Sequence, residues 1–374
     1  MAQGGVRAGA APLVVLAAGG TGGHLFPAEA LSVALARRGV RVHLATDERA
    51  TRYGAEFPAE AIHVVPSETV RGRNPLALAR TGAILSLGTF QAWRLLGRLR
   101  PTAVVGFGGY PTIPPVLAAT WRRIPTVIHD ANAVIGRANR LLSPRVTAIA
   151  TTFPGVLDRA PRLAAKATHT GNPVRPAVIA AAATPYIAPQ PGGRLSVLIF
   201  GGSQGARVLA DVVPEAIGRL GPHLRGRLAI VQQAREEDRA RVAAAYARSN
   251  VAAEIAPFFP DLPARMAAAE VVISRSGAST VAELAAIGRP SILVPLPGAL
   301  DQDQLANARV LERAGGALLL TQDLFTADRL AQDITALAAA PQRLAAMAAG
   351  ARTAGAIDAA ERLADLVMKI ARAA

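Results

Sequence analysis

The stretch Val271 to Gly288 reads Val-Val-Ile-Ser-Arg-Ser-Gly-Ala-Ser-Thr-Val-Ala-Glu-Leu-Ala-Ala-Ile-Gly: a β-branched run, a turn of small residues, and a helical repeat that Gly288 stops. A strand that feeds a helix through such a turn points unpaired backbone N–H groups and a positive helix end at one spot. That chemistry suits the phosphates of a nucleotide. Glu283 then lies within reach of a ribose. Thr280-x-x-Glu283 is equally the pattern of a capping box, in which the carboxylate only turns back to its own helix end. The residues alone leave both readings open.

The same junction recurs. Leu13 to Leu16 leads into Gly19-Gly20-Thr21-Gly22-Gly23-His24, Thr102 to Gly106 into Phe107-Gly108-Gly109-Tyr110-Pro111, and Ser196 to Phe200 into Gly201-Gly202-Ser203-Gln204-Gly205. A further strand, Thr126 to Ile128, ends in His129-Asp130-Ala131-Asn132. Imidazole titrates near neutral pH, so a histidine on such a loop is a candidate general base. His24 is the first candidate and His129 the alternative, while His43 and His63 fall inside strand patterns and read as structural. Asp301-x-Asp303 has the spacing of a carboxylate pair for a divalent ion, but it lies late, in a loop of the second half. No metal site is expected there. The absence of cysteine excludes disulfides and thiolate metal sites.

These loops need strands and helices to present them. Strands alternating with helical repeats predict an α/β chain with parallel sheets, and in doubly wound folds ligands sit outside the carboxyl ends of the strands. The glycine pairs at 19 and 201 divide the chain into two similar Rossmann-like halves facing a central cleft. Gly171-Asn172-Pro173-Val174-Arg175-Pro176 reads as the hinge. We expect a first domain over 1–172, a second over 173–353, and a C-terminal helix over 354–374 that returns to the first. The first helix is expected from about Pro27 to Arg38 and the next strand over Val40 to Ala45. A dinucleotide fingerprint built on Gly20 and Gly22 would need glycine where Leu25 stands, although Asp47 could still mimic the ribose-binding acid of an NAD site.

Charge is uneven. Residues 1–172 carry 20 Lys and Arg against 8 Asp and Glu, the rest 21 against 18, so the basic excess belongs to the first half. That predicts an anionic partner there. Between Leu76 and Leu99, Leu87, Phe90 and Trp93 share a helical stretch with Arg80 and Arg94, a composition suited to an anionic membrane interface. No run of 18 apolar residues occurs, so no segment is expected to span a bilayer. Basic residues do not interleave with aromatics as in RNA-recognition surfaces, so no nucleic-acid partner is expected.

Taken in series, GGTGGH at 19–24, GFGGY at 106–110, the His-acid-x-Asn at 129–132, GNPVR at 171–175, GGSQGA at 201–206, RSGASTVAE at 275–283 and D-x-x-Q-x-x-NA at 301–308 resemble the MurG-type glycosyltransferases. That resemblance implies the two-domain GT-B architecture and an inverting transfer of N-acetylglucosamine from UDP-GlcNAc to lipid I, undecaprenyl-diphosphoryl-MurNAc-pentapeptide, giving lipid II. It implies a role in peptidoglycan synthesis, cell shape and division, without a metal or other cofactor. It also implies a peripheral place on the cytoplasmic side of the inner membrane, beside other cell-wall enzymes. For the donor it implies Ser203 at the diphosphate, Phe259 against uracil through its backbone, and Ala278, Ser279, Thr280, Val281, Ala282 and Glu283 at diphosphate and ribose. Arg175 would neutralise phosphate charge, and Thr21, Gly22, Gly23, Asn132 and Gln304 would meet the sugar. The acceptor diphosphate would rest on the loops of Gly22, Gly23, Gly108, Gly109 and Tyr110. The chain departs from the family's His-Glu-Gln-Asn at Asp130 and Ala131, and carries an acid at Asp303 where an uncharged side chain or histidine is usual. A UDP-GlcNAc epimerase of the same architecture is the alternative; the arginines and Trp93 of the first half speak against it.

Overall fold

The computed structural model describes residues 11–19, 22–48, 57–69, 74–202, 205–299 and 302–373. Two parallel sheets organise it. The first comprises β1 Leu13–Ala17, β2 Arg41–Thr46, β3 Ala61–Val64, β4 Ala103–Gly106, β5 Thr126–Asp130, β6 Ala148–Thr151 and β7 Ala167–His169, in the order β3-β2-β1-β4-β5-β6-β7. The second comprises β8 Leu195–Phe200, β9 Leu228–Gln233, β10 Ala253–Ala256, β11 Val271–Ser274, β12 Ser291–Leu293 and β13 Ala317–Leu319, in the order β10-β9-β8-β11-β12-β13. Each order reverses beside the sheet's first strand, so each sheet has a switch point where the loops of neighbouring strands part to make a crevice.

The central strands are mostly apolar because helices cover both their faces, with polar side chains such as His129 and Asp130 at their carboxyl ends. Residues of β1, β4 and β5 are buried along their length, as are those of β8 and β11 apart from half-buried Ser196. The helices used below are α1 Gly22–Arg37, α2 Pro75–Leu99, α3 Ile113–Trp121, α4 Ala278–Ile287, α5 Asp303–Arg313 and α6 Ala359–Arg372.

α1 starts five residues before the expected Pro27. Proline lacks an N–H, so the carbonyl of Gly23, four residues earlier, loses its helical partner. The oxygen accepts instead from Ser279 Oγ, at the start of α4, 3.5 Å away. A helical defect in one lobe is thus met by the other.

α2 holds to the first sheet by its small residues. A Cβ on Gly88 would lie 2.0 Å from the Pro66 carbonyl oxygen, and Ala92 and Leu96 are buried in the core against β4 and α3 residues. Its opposite face exposes Leu87, Phe90 and Trp93, and Trp121 at the end of α3 adds a large apolar side chain. Arg94 lies over Phe90 at 6.0 Å and Arg122 over Trp93 at 3.9 Å, while Arg80 Nη2 is 3.5 Å from Glu68 Oε1. Among the described residues, no helix is long and apolar enough to cross a membrane.

α6 returns to the first lobe. Leu363, Ala364 and Val367 join the core of α1, with Arg38 ion-paired to Glu361 and Asp365 at 2.7 Å each. Gly171 admits this return, because a side chain there would meet Ala356 and Ala359. Leu363 is fully buried, so Leu363→Ala should destabilise the protein by about 3 kcal/mol, read from the denaturant midpoint at unchanged slope.

Candidate active site between the lobes

The wall of the first lobe is built where β1, β4 and β5 end. Ala17 pairs with Gly106, and Gly106 with Ile128. The Ala17 carbonyl accepts from the Phe107 N–H at 2.9 Å, and the single hydroxyl proton of Thr112 is shared between the Gly108 carbonyl at 2.6 Å and the Ala17 carbonyl at 3.1 Å. One threonine therefore sits between the Gly108 turn and the end of β1. Gly108 and Gly109 have φ of +85° and +74°, where a side chain is strained, and a Cβ on Gly109 would lie 3.2 Å from the His24 ring. The imidazole lies against that bare backbone.

His24 occupies the first turn of α1 and is half-buried at the crevice. Burial lowers its pKa below the usual histidine value, partly offset by a hydrogen bond with the Gly19 backbone and by the charge of Asp47. His129 is different. It is fully buried, its Nε2 donates to the Gly171 carbonyl at 3.0 Å, its Nδ1 has no partner, and its pKa is pushed down to about 4, chiefly by desolvation.

Asp130 is equally enclosed. Its carboxylate accepts from the N–H groups of Asn132 and Gly136 and from Asn139 Nδ2, at 2.8–3.1 Å. Burial raises its pKa against these bonds. The shorter acid at this position is used to fold the loop that carries Asn132.

In the second lobe, α4 begins after Gly277, which makes Glu283 its sixth residue and Thr280 its third. A capping box needs the hydroxyl outside the helix, so that reading of Thr280-x-x-Glu283 is excluded. Glu283 is buried and pairs instead with Arg175, Nη2 to Oε1 at 3.2 Å. Desolvation raises the Glu283 pKa, and Arg175 opposes it. The guanidinium also lies 3.9 Å from the centroid of the Phe26 ring on α1. Arg175, in the segment between the two sheets, is held by one side chain from each lobe.

The remaining expected groups fall around this centre. Ala278, Ser279, Thr280 and Ala282 are half-buried, whereas Val281 is in the core and offers a ligand only its backbone. Phe259 follows β10, buried under the Arg265 guanidinium at 4.4 Å. Gln304 lies on α5, its Oε1 accepting from the Leu296 N–H at 3.0 Å and its carbonyl from Ser276 Oγ at 2.8 Å. Asp303 caps its own helix start by accepting from the Gln304 N–H. Gly22 and Gly23 open α1, and Tyr110 follows the Gly109 turn. Thr21, Ser203 and Asp301 fall outside the described residues. Among the described residues no cluster of three metal-ligating side chains occurs.

Three side chains with no expected role prove central. Phe26 carries Arg175. Gln233, at the end of β9, bonds the Gly201 N–H and the carbonyls of Gly202 and Pro257, joining two loops of the second lobe. Asn307, fully buried on α5, bonds Ala133 and Asn132 of the first lobe. Only Asn307 lay inside a quoted motif.

Comparison with known proteins gives a consistent answer. The glycosyltransferase family 28 N-terminal domain matches residues 14–151 and its C-terminal domain residues 196–363. A protein of Rhodopseudomonas palustris (strain BisA53), called "UDP-N-acetylglucosamine--N-acetylmuramyl-(pentapeptide) pyrophosphoryl-undecaprenol N-acetylglucosamine transferase", is 66% identical over 96% of both chains. A protein of the same name from Nitrobacter hamburgensis is 64% identical over 96% of this chain and 98% of its own. Among solved structures, Acinetobacter baumannii MurG superposes with a TM-score of 0.78 at 30% identity, covering 96% of this chain and 99% of that one. A UDP-N-acetylglucosamine 2-epimerase from Listeria monocytogenes, described as putative, superposes at 0.67 with 15% identity over 95% of each, a likeness of fold alone.

Between pH 6.5 and about 4, an unfolded chain binds a proton that the buried His129 site refuses. Stability should therefore rise with pH across that window and be lost on acidification, with His129 contributing about 3 kcal/mol of the loss. Thermal melts of His129→Gln and wild type should converge at low pH if this is correct, the variant showing the shallower dependence.

Proposed function

This chain belongs to the MurG family of glycosyltransferases, and from that premise we infer that it transfers N-acetylglucosamine from UDP-GlcNAc to undecaprenyl-diphosphoryl-MurNAc-pentapeptide, yielding lipid II for peptidoglycan. The observation that carries this is the 66% identity over nearly the whole chain with a transferase of that name. The cleft supplies the physical means.

We propose that the nucleotide lies against the second lobe, with its diphosphate at the start of α4. The unpaired N–H groups there, and the positive helix end, favour an anion. Arg175 would add a full charge, and Glu283, released from that ion pair, would accept from the ribose hydroxyls. Asn132 and Gln304 would face the sugar. On the opposite wall, the turn at Gly108 and Gly109 and the start of α1 would hold the acceptor's diphosphate.

In a single displacement, the C4 hydroxyl of the muramoyl sugar attacks the anomeric carbon as the bond to the UDP oxygen breaks. The configuration inverts. Negative charge grows on the departing diphosphate, where the α4 start and Arg175 stabilise it electrostatically. The hydroxyl proton passes to His24. We prefer His24 to His129 because His24 opens on the crevice, whereas His129 is fully buried with Nε2 committed to Gly171. No metal is assigned a step, because Arg175 and the α4 start would supply the positive charge that the leaving diphosphate needs.

We further propose that the exposed face of α2, extended by Trp121, docks on the anionic cytoplasmic leaflet of the membrane that holds the acceptor's lipid. Aromatic side chains would enter the interface while arginines meet phosphate headgroups, each contributing on the order of 1 kcal/mol.

Labelled UDP-GlcNAc with a lipid I analogue should give labelled disaccharide product at the same rate with or without chelator; UDP-ManNAc formed from UDP-GlcNAc alone would point to the epimerase instead. His24→Ala should lower kcat by roughly a hundredfold or more. Because the base must be neutral and burial lowers its pKa, the acid limb of kcat should lie below pH 6.5 in the wild type and vanish in the variant. On liposomes, retention should require anionic lipid and fall at high salt; equal retention on neutral vesicles would sink the docking proposal.

A further inference from the structure

Asn307 is a fully buried amide at the junction of the lobes, and its surroundings fix which end of it is which. The Ala133 N–H can only donate, so the atom 2.8 Å from it is Oδ1. The Ser276 carbonyl can only accept, so the atom 3.3 Å from it is Nδ2. The same Nδ2 donates to the side chain of Asn132 at 3.0 Å, which obliges Asn132 to present Oδ1 to Asn307. Its own NH2 is thereby turned the other way. Among the described residues that NH2 donates to no partner, and the half-buried Asn132 side chain lies at the crevice wall.

The backbone fixes where the Asn132 side chain starts, and Asn307 fixes which way its amide faces. Its N–H is held by Asp130 Oδ1 at 3.1 Å, and the following N–H, of Ala133, is the one bound by Asn307. Loop position and amide polarity are therefore both set from the far lobe. The Ser276 contact matters in the same way, because Ser276 sits two residues before α4, so one side chain couples the turn behind the α4 start to the loop of Asn132.

We propose that Asn307 is a positioning residue for the donor sugar: it orients the Asn132 amide so that a hydrogen-bond donor, not an acceptor, faces the ligand. The partner on the sugar is then an acceptor oxygen, a hydroxyl lone pair or the acetamido carbonyl. This rests on the reading above that Asn132 meets the donor sugar.

The test compares UDP-GlcNAc with UDP, which lacks the sugar, on the full-length protein. Asn132→Ala should raise the KM for UDP-GlcNAc about tenfold and leave the Kd for UDP unchanged. Asn132→Asp keeps the oxygen that Asn307 needs but replaces the NH2, so it should do the same without lowering Tm. Asn307→Asp keeps the acceptor for Ala133 and places an oxygen against Asn132 Oδ1; Asn132 must flip, and the same selective loss should follow. The Asn132→Ala/Asn307→Ala pair should be no worse than Asn132→Ala on the UDP-GlcNAc to UDP ratio. Multiplied effects in the pair, or wild-type UDP-GlcNAc binding by Asn132→Asp, would overturn the orienting role while leaving Asn132 in the site. A silent Asn132→Ala would remove Asn132 from the donor site, and this proposal with it.

Discussion

Two helix starts face each other across one gap, and the rest of the structure accommodates that fact. α1 and α4 each leave a strand of a parallel sheet through small residues, and Ser279 Oγ approaches the Gly23 carbonyl at 3.5 Å. Both ends carry partial positive charge. Arg175 brings a full charge to the same place, and a buried carboxylate, Glu283, balances it. An ion pair this enclosed gains little net stability, since each partner has lost water to form it. On the proposed function it would provide a charge held in place for an anion, with a carboxylate left to find hydroxyl partners in exchange.

The hinge gains its meaning from the same arrangement. Arg175 follows the chain's passage between the lobes, and its guanidinium is gripped by Phe26 of the first and Glu283 of the second. Asn307 makes a second crossing, from α5 to the loop of Asn132 and Ala133. α6 makes the third, from the end of the second lobe back onto α1. Two of these crossings border the gap itself. Arg175 and Asn132, both expected at the donor, are thus tied directly to the contacts between the lobes.

Much of this was legible in the sequence, for a physical reason. The central strands are continuous apolar runs because helices cover both faces, and glycine turns mark their ends because the backbone must bend tightly there. The short edge strands β7 and β13, three residues each, leave no such mark. Pro27 misled the boundary of α1, since proline is favoured in a helix's first turn, yet here it lies in the sixth position and the lost bond is made from another lobe. Glu283 was ambiguous because a capping box is local, whereas its partner Arg175 is 108 residues away. The role of Asn307 was hidden for the same reason, with Ala133 at a separation of 174. Periodicity reports neighbours along a helix or strand; it carries nothing about pairs that only the closed fold brings together.

Fold and chemistry also separate cleanly in this molecule. The same architecture, at 15% identity, is found in a structure described as a putative UDP-N-acetylglucosamine 2-epimerase, so the fold by itself does not set the chemistry. The basic excess of this chain is concentrated in the first lobe. α2 is anchored inward by Gly88, Ala92 and Leu96, and turns Leu87, Phe90 and Trp93 to solvent between arginines. An apolar face of that kind costs solubility and gives the core nothing, since the buried side of the helix already packs the sheet. On the proposed function, an acceptor confined to a bilayer would supply the reason to keep it: the sheet that presents the turn at Gly108 and Gly109 also carries α2, so docking and acceptor binding would fall to one lobe.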